Sequence, residues 1–527
     1  MLILPLEPTD DRADPVFKDA KACRLWLEQL QLTNLQLAHS QLLHQISELN
    51  RYAMEGLERL NTMEMLRETV GFVQEDYARK LVDKPLPLSD DETTIFMSIV
   101  QLWQAMLTGY QRCLQFYIFG ENELASHGAL ICQRCLCYGG LEIFEYLRTR
   151  YEFSPSLWRQ IHELHAYAEQ QELHGIEVEE LGFRTNCAAT YARTLLACYS
   201  NPAELTRWQL QQMNRWLSTW SSSLAISRSY KLDRKDAEPL AVDISGEQGL
   251  QRADEVLHKD AMRYLDMVPM SKLLRVKAIL LPQGQTPQQV GLGDQYDSHA
   301  CHELLILLHQ NWCENKHKRL SQRKPTSRVT ELVCQIEGIH AHLSQKGKKS
   351  PKLDKLAIVQ IETMGYVPSS DRQDTKADHP LEHWLIENEN VIGARITRTD
   401  ETGRRFKSRQ LVALRSPKSS FMLASIAWMV VARDGKLQMG IRFLPGKPVP
   451  VRISAAGINL ARREALAFLL PALPTVRTPA SLIIPRGWFQ PGLAIELRQP
   501  NDDFMALQLG FSVERGLDFE RVSFTPV

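Results

Sequence analysis

The spacing of apolar residues predicts a helical first part of the chain, up to about residue 320. Leu35, Ala38, Leu42, Ile46 and Leu49 recur at steps of three and four, which places them on one face of a helix with polar residues opposite. Similar stripes follow one another along this part of the sequence. They predict helical hairpins that bury their apolar faces against their neighbours, and a solenoid-like stacking is one arrangement of such hairpins.

Two helix starts can be located from capping signals. Ser89 followed by Glu92 has the spacing of a capping box and precedes an apolar-periodic segment over 94–119. Ser154 followed by Pro155 combines a capping residue with a first-turn proline. We therefore expect one helix to begin just after Ser89 and another at Pro155.

The period of the pattern changes after about residue 328. Segment 330–336 is β-prone, and apolar residues alternate with other residues over 437–443 and 505–511. Upstream of this change, a polar stretch at 231–252 and a Pro/Gly/Gln-rich stretch at 282–298 interrupt the helices. The sequence thus predicts helices first and strands in the remainder of the chain.

Composition is that of a folded soluble protein, with 44% apolar and 24% charged residues. The 62 basic side chains balance 62 acidic ones, and this zero net charge excludes a globally basic nucleic-acid binder. No run approaches the roughly 18 to 20 apolar residues of a spanning helix, and the start lacks the cationic leader of a signal peptide. We expect a cytoplasmic protein without membrane insertion.

Positive charge is concentrated where helices give way to strands. Over 314–328, the single acid Glu314 stands against six cations, which are Lys316, Lys318, Arg319, Arg323, Lys324 and Arg328. A solvated helix end would account for such a run, because cations interact favourably with the C-terminal end of the helix dipole. The spacing of the last three cations favours a binding role instead.

The last part of this basic run resembles a known ligand-binding signature. Arg323-Lys324-Pro-Thr-Ser-Arg328 resembles the RRxxxR motif of PilZ domains, small β-barrels that bind the bacterial second messenger cyclic di-GMP. Lys324 stands at the first position of RxxxR. An ammonium neutralises phosphate but cannot stack or fork as a guanidinium does.

A second motif follows in the order typical of the same family. Asn388-Glu-Asn390-Val-Ile-Gly393 is similar to the D/N-x-S-x-x-G signature of PilZ domains, with Asn390 where serine is usual. Strand-like segments lie between the two motifs and continue to about residue 444. The resemblance covers roughly 320–445.

The resemblance implies cyclic di-GMP as the ligand, with no other cofactor and no metal. Its two phosphodiesters need cations, and its two guanines need planar stacking and edge hydrogen bonds. A guanidinium supplies all three interactions, so Arg323 and Arg328 are the leading candidates, with Lys324 beside them.

The second motif supplies polar and permissive positions for the same ligand. Asn388 and Asn390 could present amides to a guanine edge. Gly393 would permit a turn with positive φ or a close approach of the ligand.

These features together predict an α+β multidomain chain. An all-α helical-hairpin domain over 1–315 precedes a PilZ-like antiparallel β-barrel over 316–445, which carries a polar insertion at 344–382. A further β-rich module occupies 446–527, where turn residues separate at least four strands. We expect the helical domain to bind another protein.

Other candidate chemistry is weaker. Cys132, Cys135 and Cys137 form CxxCxC, but no second pair follows at zinc-site spacing, so buried thiols in an apolar helix are the better interpretation. His162 and His165 lack the i, i+4 spacing of a metal-binding HExxH helix. The sequence contains no nucleophile elbow, Walker loop or paired-carboxylate motif, so nothing in it supports an enzyme.

Three functional hypotheses follow. The first is a bacterial cyclic di-GMP effector in which basic segment 319–328 is a hinge that the ligand pins, reorienting the helical domain. The second is a ligand-free PilZ-like scaffold for protein–protein interaction. The third, binding of a nucleic acid polymer by the basic segment, is disfavoured because no aromatic residues alternate with those cations.

Overall fold

The chain divides into two compact units in a computed structural model. The first comprises Met1–Lys84 and Leu88–Arg319, and the second comprises Pro85–Pro87 and Leu320–Val527. No helix among the described residues combines the length and apolarity needed to cross a membrane. The structure describes residues 2–4, 6–180, 182–230, 237–314, 323–344, 379–400, 403–416, 419–456, 462–474, 478–498 and 503–527.

Helices dominate the described part of the first unit. They are α1 (Ala20–Gln29), α2 (Leu35–Arg51), α3 (Gly56–Ala78), α4 (Asp90–Ile118), α5 (Gly128–Thr149), α6 (Pro155–Gln170), α7 (Cys187–Tyr199), α8 (Arg207–Trp220), α9 (Val268–Leu280) and α10 (Ser298–Cys313). Both predicted starts are confirmed: a reciprocal capping box joins Ser89 and Glu92 at α4, and Ser154 caps α6 ahead of Pro155.

Short strands also occur in the first unit, where the sequence pattern indicated only helices and a polar break. They are β1 (Val178–Glu180), β2 (Phe183–Thr185), β3 (Ile226–Ser227), β4 (Leu240–Asp243), β5 (Gln251–Arg252) and β6 (Met262–Leu265). The first two form a hairpin, and the others form a sheet in the order β3-β6-β4-β5. Strands of two to four residues are too short to give a period-2 signal.

One continuous apolar core joins the helices of the first unit, from Phe17 to Trp312. The stripe predicted for α2 is part of it, since Ala38, Leu42 and Ile46 are all buried. Amphipathic helices of this kind gain most of their stability from such packing rather than from intrinsic propensity. The prediction of a helical first part is confirmed, while a repeating architecture stays a prediction.

Arg134, which is buried in this core, is paired with two carboxylates. Arg134 on α5 donates to Glu64 through Nε and Nη2, at 2.8 and 3.0 Å, and its Nη1 donates to Glu180 at 2.5 Å. Arg67 contacts Glu180 at 2.6 Å from the other side. The hairpin β1–β2 is therefore tied to α3 and α5 by a network of two cations and two carboxylates.

The buried carboxyl of Glu142, also on α5, leads to a prediction for how stability depends on pH. Glu142 accepts a hydrogen bond from Gln104 Nε2 at 2.7 Å, and burial raises the pKa of Glu142 from 4.5 to about 7. Between these two values the folded carboxyl keeps a proton that the unfolded one releases. Stability from this group is therefore lost as pH rises through that window, by at most about 1.4 kcal/mol per pH unit.

The substitution Glu142→Gln should remove this loss of stability with rising pH. Urea unfolding of wild type and variant at pH 5, 6, 7 and 8 checks it, and we expect the variant to gain stability relative to wild type as pH rises. A difference between the two proteins that is constant with pH would contradict the prediction.

The second unit contains two closed six-stranded barrels. The first barrel has the strand order β10-β11-β12-β9-β8-β7, and the helix α11 (Ile336–Ser344) follows β7. Its strands are β7 (Lys324–Cys334), β8 (Glu382–Glu389), β9 (Gly393–Arg398), β10 (Leu411–Arg415), β11 (Met422–Val431) and β12 (Leu437–Phe443).

The second barrel has the order β13-β14-β15-β18-β17-β16. Its strands are β13 (Val449–Ala456), β14 (Arg462–Leu470), β15 (Ser481–Pro485), β16 (Ala494–Arg498), β17 (Phe504–Arg515) and β18 (Phe519–Pro526). The predicted fold class, a helical region followed by an antiparallel barrel and a further β-rich segment, is confirmed. In both rings all the strand pairs are antiparallel.

The two barrels share a core. Phe519 and Phe468 of the second barrel belong to the same buried cluster as Leu411 and Leu423 of the first. Backbone contacts accompany this packing, since the Leu517 N–H donates to the Arg409 carbonyl at 2.7 Å. The barrels are thus joined by burial of apolar surface as well as by polar contacts.

The start of the first barrel differs from the sequence prediction. The strand predicted over 330–336 is wrong at its end, because Gln335 has a φ of 68° and Ile336 begins α11. Residues 324–328 form the start of β7, so within the proposed hinge 319–328 they are already paired strand. Lys316, Lys318 and Arg319 lie outside the described residues, as does most of the predicted insertion 344–382.

Candidate functional site

The two sequence motifs meet at one end of the first barrel. Because β7 and β8 are antiparallel neighbours, the beginning of β7 lies beside the end of β8, with Lys324 opposite Glu389 and Pro325 opposite Asn388. A β-bulge between Pro325 and Arg328 shifts the register there. Bulges of this kind redirect side chains, and they are common beside binding sites.

We call this region the arginine end. It consists of the six residues predicted from sequence and one further carboxylate, namely Arg323, Lys324, Arg328, Asn388, Glu389, Asn390 and Gly393. Three cations stand against one carboxylate in this set, which leaves two positive charges.

Arg323 contacts the second motif directly. Its Nη1 donates to Asn388 Oδ1 at 3.2 Å, although the two residues are 65 positions apart in sequence. A guanidinium and an amide, both partly exposed, are thereby placed side by side. This pair has the donors and acceptors that a phosphate and a guanine edge require.

Arg328 is held by a carboxylate that sequence reasoning missed. Its Nη2 donates to Glu389 Oε1 at 3.0 Å and to Oε2 at 2.9 Å, and the Arg328 side chain remains 48% exposed. Glu389 occupies a variable position of the second motif. The sequence feature that could have indicated Glu389 as a site residue was its negative charge between two asparagines of the motif.

Asn390 closes the turn between β8 and β9. Its Oδ1 accepts hydrogen bonds from the backbone N–H groups of Ile392 and Gly393, each at 3.0 Å. Its own N–H donates to the Gly393 carbonyl at 3.0 Å. The Asn390 amide was expected to contact a guanine edge. In this structure its oxygen stabilises a turn, as short polar side chains often do.

Gly393 is required by the packing of the barrel, which the sequence did not show. Its φ is not positive, and a Cβ at this position would lie 2.1 Å from the Ile441 carbonyl oxygen. The close approach is thus between β9 and β12 of the barrel itself. The prediction of a positive φ is wrong, and the physical reason for glycine is strand packing.

Two further arginine–glutamate pairs border the arginine end. Arg395, opposite Asn388 in the ladder, lies 2.8 Å from Glu387, and its guanidinium is 6.0 Å from the centre of the Trp428 ring. Arg442, opposite Gly393, lies 2.5 Å from Glu514 of the second barrel. In each pair the opposite charges cancel, so the excess positive charge stays with the arginine end.

Two cysteines of α5, Cys132 and Cys135, are buried thiols, as predicted, whereas Cys137 is partly exposed. Burial raises the pKa of Cys132 and of Cys137 to about 12 and that of Cys135 well above its usual value. Thiols held protonated in this way are poor nucleophiles and poor metal ligands. Within the described ranges, no three His, Cys, Asp or Glu side chains are grouped so as to hold a metal ion.

The two histidines of α6 are core residues. His162 Nε2 donates to the Gln248 carbonyl at 2.9 Å, so its Nδ1 accepts from the Tyr191 hydroxyl at 2.7 Å. Burial lowers the pKa of His162, and it lowers that of His165, which stacks on Tyr191, to about 3. Both rings are neutral at physiological pH.

The fold and the arginine end together define a class of protein. In this class a helical unit is followed in sequence by two barrels, and the first barrel carries a cluster of cations at one end. Within this class, residues 21–231 match a family described as "Cyclic-di-GMP receptor FimW, N-terminal domain". Residues 461–527 match a family described as "FimW C-terminal beta-barrel domain". The chain is also 21% identical to the cyclic-di-GMP receptor FimW of Pseudomonas aeruginosa, over 95% of this chain and 90% of that protein.

These matches bear unequally on the parts of the chain. The two family ranges cover most of the helices and five of the six strands of the second barrel, whereas the alignment with the Pseudomonas aeruginosa protein spans nearly the whole chain. Neither family description names PilZ, so that part of the resemblance stays a prediction.

Proposed function

We propose that this chain is a non-enzymatic receptor that binds cyclic di-GMP at the arginine end of a PilZ-like first barrel. The observation that carries the proposal is the meeting of Arg323 and Arg328 with Asn388 and Glu389, from motifs more than 60 residues apart. Similarity to a protein named as a cyclic-di-GMP receptor supports the same ligand.

The charge of the site suits this ligand. Two net positive charges at the arginine end balance the two phosphodiesters of cyclic di-GMP. Three charge-assisted hydrogen bonds of about 1.5–3 kcal/mol each give about 4.5–9 kcal/mol, so a Kd near 1 μM (about −8 kcal/mol) also requires stacking of the guanines to offset the association cost. Such a site recognises a compact dianion and does not need the basic surface of a polymer binder.

The planar groups around the site suit the bases. A guanidinium forks onto guanine O6 and N7 and also stacks on a base face, and Arg323 and Arg328 are both partly exposed. The Asn388 amide lies beside Arg323 and offers a hydrogen-bonding edge. In this proposal Lys324 neutralises phosphate, while Asn390 and Gly393 shape the turn that borders the ligand.

Titration calorimetry of the full chain with cyclic di-GMP tests the proposal. Arg328→Ala should weaken binding roughly tenfold to a hundredfold, because it removes one or more charge-assisted hydrogen bonds. Arg415→Ala is the matched control, since Arg415 pairs with Glu331, seven residues along β7 from Lys324. This control should bind like wild type.

Three results would contradict the proposed binding of cyclic di-GMP at the arginine end. A wild-type chain that gives no heat with ligand well above about 1 μM overturns the proposal and favours the ligand-free scaffold. Equal weakening by Arg328→Ala and Arg415→Ala would place the ligand elsewhere. Tight, steeply salt-dependent binding of polyuridylate in place of cyclic di-GMP would favour the nucleic-acid hypothesis.

The proposal extends to the helical unit, which we expect to bind a protein partner and to change its orientation when ligand binds. The basic segment joins the two units in sequence, so a ligand at its end is well placed to restrain it. The change can be no larger than the ligand's differential affinity for the two arrangements. Small-angle X-ray scattering with and without ligand checks it, and identical curves would contradict reorientation.

A further inference from the structure

A carboxylate lies among the cations of the arginine end. Glu389 accepts both of its hydrogen bonds from Arg328 Nη2, at 3.0 and 2.9 Å. Carboxylate and phosphate are alternative partners of a guanidinium and use the same planar donors. The Arg328 Nη2 group, one of the donors that a phosphodiester would use, is therefore already engaged by an anion of the protein.

We infer that Glu389 is an internal competitor of the ligand's phosphate, and that its displacement sets both the affinity and the selectivity of the site. This inference rests on the proposed function. Two anions within about 4 Å of each other repel by about 1–4 kcal/mol, depending on local solvation, so carboxylate and phosphate compete for Arg328.

The position of Glu389 allows a side-chain exchange without rearrangement of the barrel. Its backbone is paired with Lys324 on one side and with Ala394 on the other. Cross-strand neighbours have Cβ atoms about 4.5–5.5 Å apart, so the Lys324 ammonium is within reach of a carboxylate that leaves Arg328. The lysine at the first RxxxR position then has two anionic partners in the ligand-bound state, the phosphate and the displaced carboxylate, and its ammonium group has three N–H donors with which to contact both.

Selectivity follows from the same competition. A ligand displaces Glu389 only if its other contacts outweigh the lost ion pair. Cyclic di-GMP has a second phosphodiester and a second guanine to supply those contacts, whereas guanosine monophosphate has one phosphate and one base. Glu389 therefore suppresses binding of mononucleotides more than binding of the cyclic dinucleotide.

Glu389→Gln tests the competition in the full chain. The variant should bind cyclic di-GMP about three- to tenfold more tightly by calorimetry, which is the range expected when an exposed ion pair no longer has to be broken and a nearby negative charge is gone. Guanosine monophosphate should gain more, so the ratio of the two affinities in favour of cyclic di-GMP should fall, and an unchanged or higher ratio would contradict the role in selectivity.

Glu387→Gln is the matched control. Glu387 lies two residues earlier on the same strand, with an exposed side-chain fraction of 31% against 30% for Glu389, but it pairs with Arg395. The Glu387→Gln substitution removes one negative charge, as Glu389→Gln does, and it should alter the affinity for cyclic di-GMP less than twofold. In an Arg328→Ala background, Glu389→Gln should tighten binding less than it does in the wild-type background, because the contested donors are absent and only the loss of the negative charge remains.

Failure of the inference is distinguishable from failure of the proposed function. If wild type binds cyclic di-GMP and Glu389→Gln binds equally or more weakly, Glu389 is not a competitor, whereas the receptor function stands. If Glu387→Gln tightens binding as much as Glu389→Gln, general electrostatics replaces the specific competition. If neither wild type nor Glu389→Gln binds, both proposals are overturned.

Discussion

Replacing Phe519 with alanine is expected to destabilise both barrels, by about 3–5 kcal/mol. Phe519 is 0% exposed and lies in the cluster that also contains Leu411 and Leu423 of the first barrel. Truncation would remove a large apolar side chain and leave a cavity that faces both barrels. Because that cavity is shared, the loss should extend to the first barrel, which carries the arginine end.

Hydrogen exchange followed by mass spectrometry separates the two barrels, since peptides from each can be read individually. Protection should fall together in β10 and β11 of the first barrel and in β15 and β18 of the second. Phe511→Ala is the matched control, because Phe511 on β17 is 67% exposed, and we expect less than about 0.5 kcal/mol from it. Loss of protection in the second barrel alone would contradict a shared core.

Arg134→Met should destabilise the first unit by about 3–5 kcal/mol, which is the range measured when one partner of a buried ion network is removed. The substitution leaves Glu64 and Glu180 with Arg67 as the cation nearest to both. Burial alone would raise the pKa of Glu64, but Arg134, together with the charge of Arg67 and the hydrogen bond from Tyr110, holds this pKa below its usual value. Without Arg134, the negative charge of Glu64 loses its main compensating interactions.

Arg184→Ala is the matched control for Arg134→Met. Arg184 on β2 pairs with Glu177, but the two side chains are 81% and 63% exposed, so the pair should contribute less than about 1 kcal/mol. Urea unfolding followed by far-UV circular dichroism, which reports mainly on the helices, checks both variants. Similar midpoints for Arg134→Met and wild type would show that the buried network has no stabilising role.

Local features of the helical unit could be predicted from sequence because their causes are local. The stripe from Leu35 to Leu49 and the capping box at Ser89 each depend on residues three or four positions apart. The small sheet β3–β6 could not be predicted, because its strands have two to four residues and are stabilised by pairing between distant segments.

The arginine end could be predicted only in part. The resemblance supplied the residues, and the antiparallel pairing of β7 with β8 explains why Arg323 reaches Asn388. The partner of Arg328 depends on side-chain directions around a β-bulge, which one-dimensional spacing does not contain. The same is true of Gly393, whose requirement comes from the backbone of Ile441 on another strand.

Closure of both barrels limits how a second protein can bind them. In each ring every strand has a hydrogen-bonded neighbour on both sides, so neither ring has an edge strand among the residues that the structure describes. We therefore expect a partner of these barrels to contact side chains or turns rather than to add a strand. Among the described residues, the sheet of the first unit differs, since β3 and β5 are its outer strands and each has a neighbour on one side only.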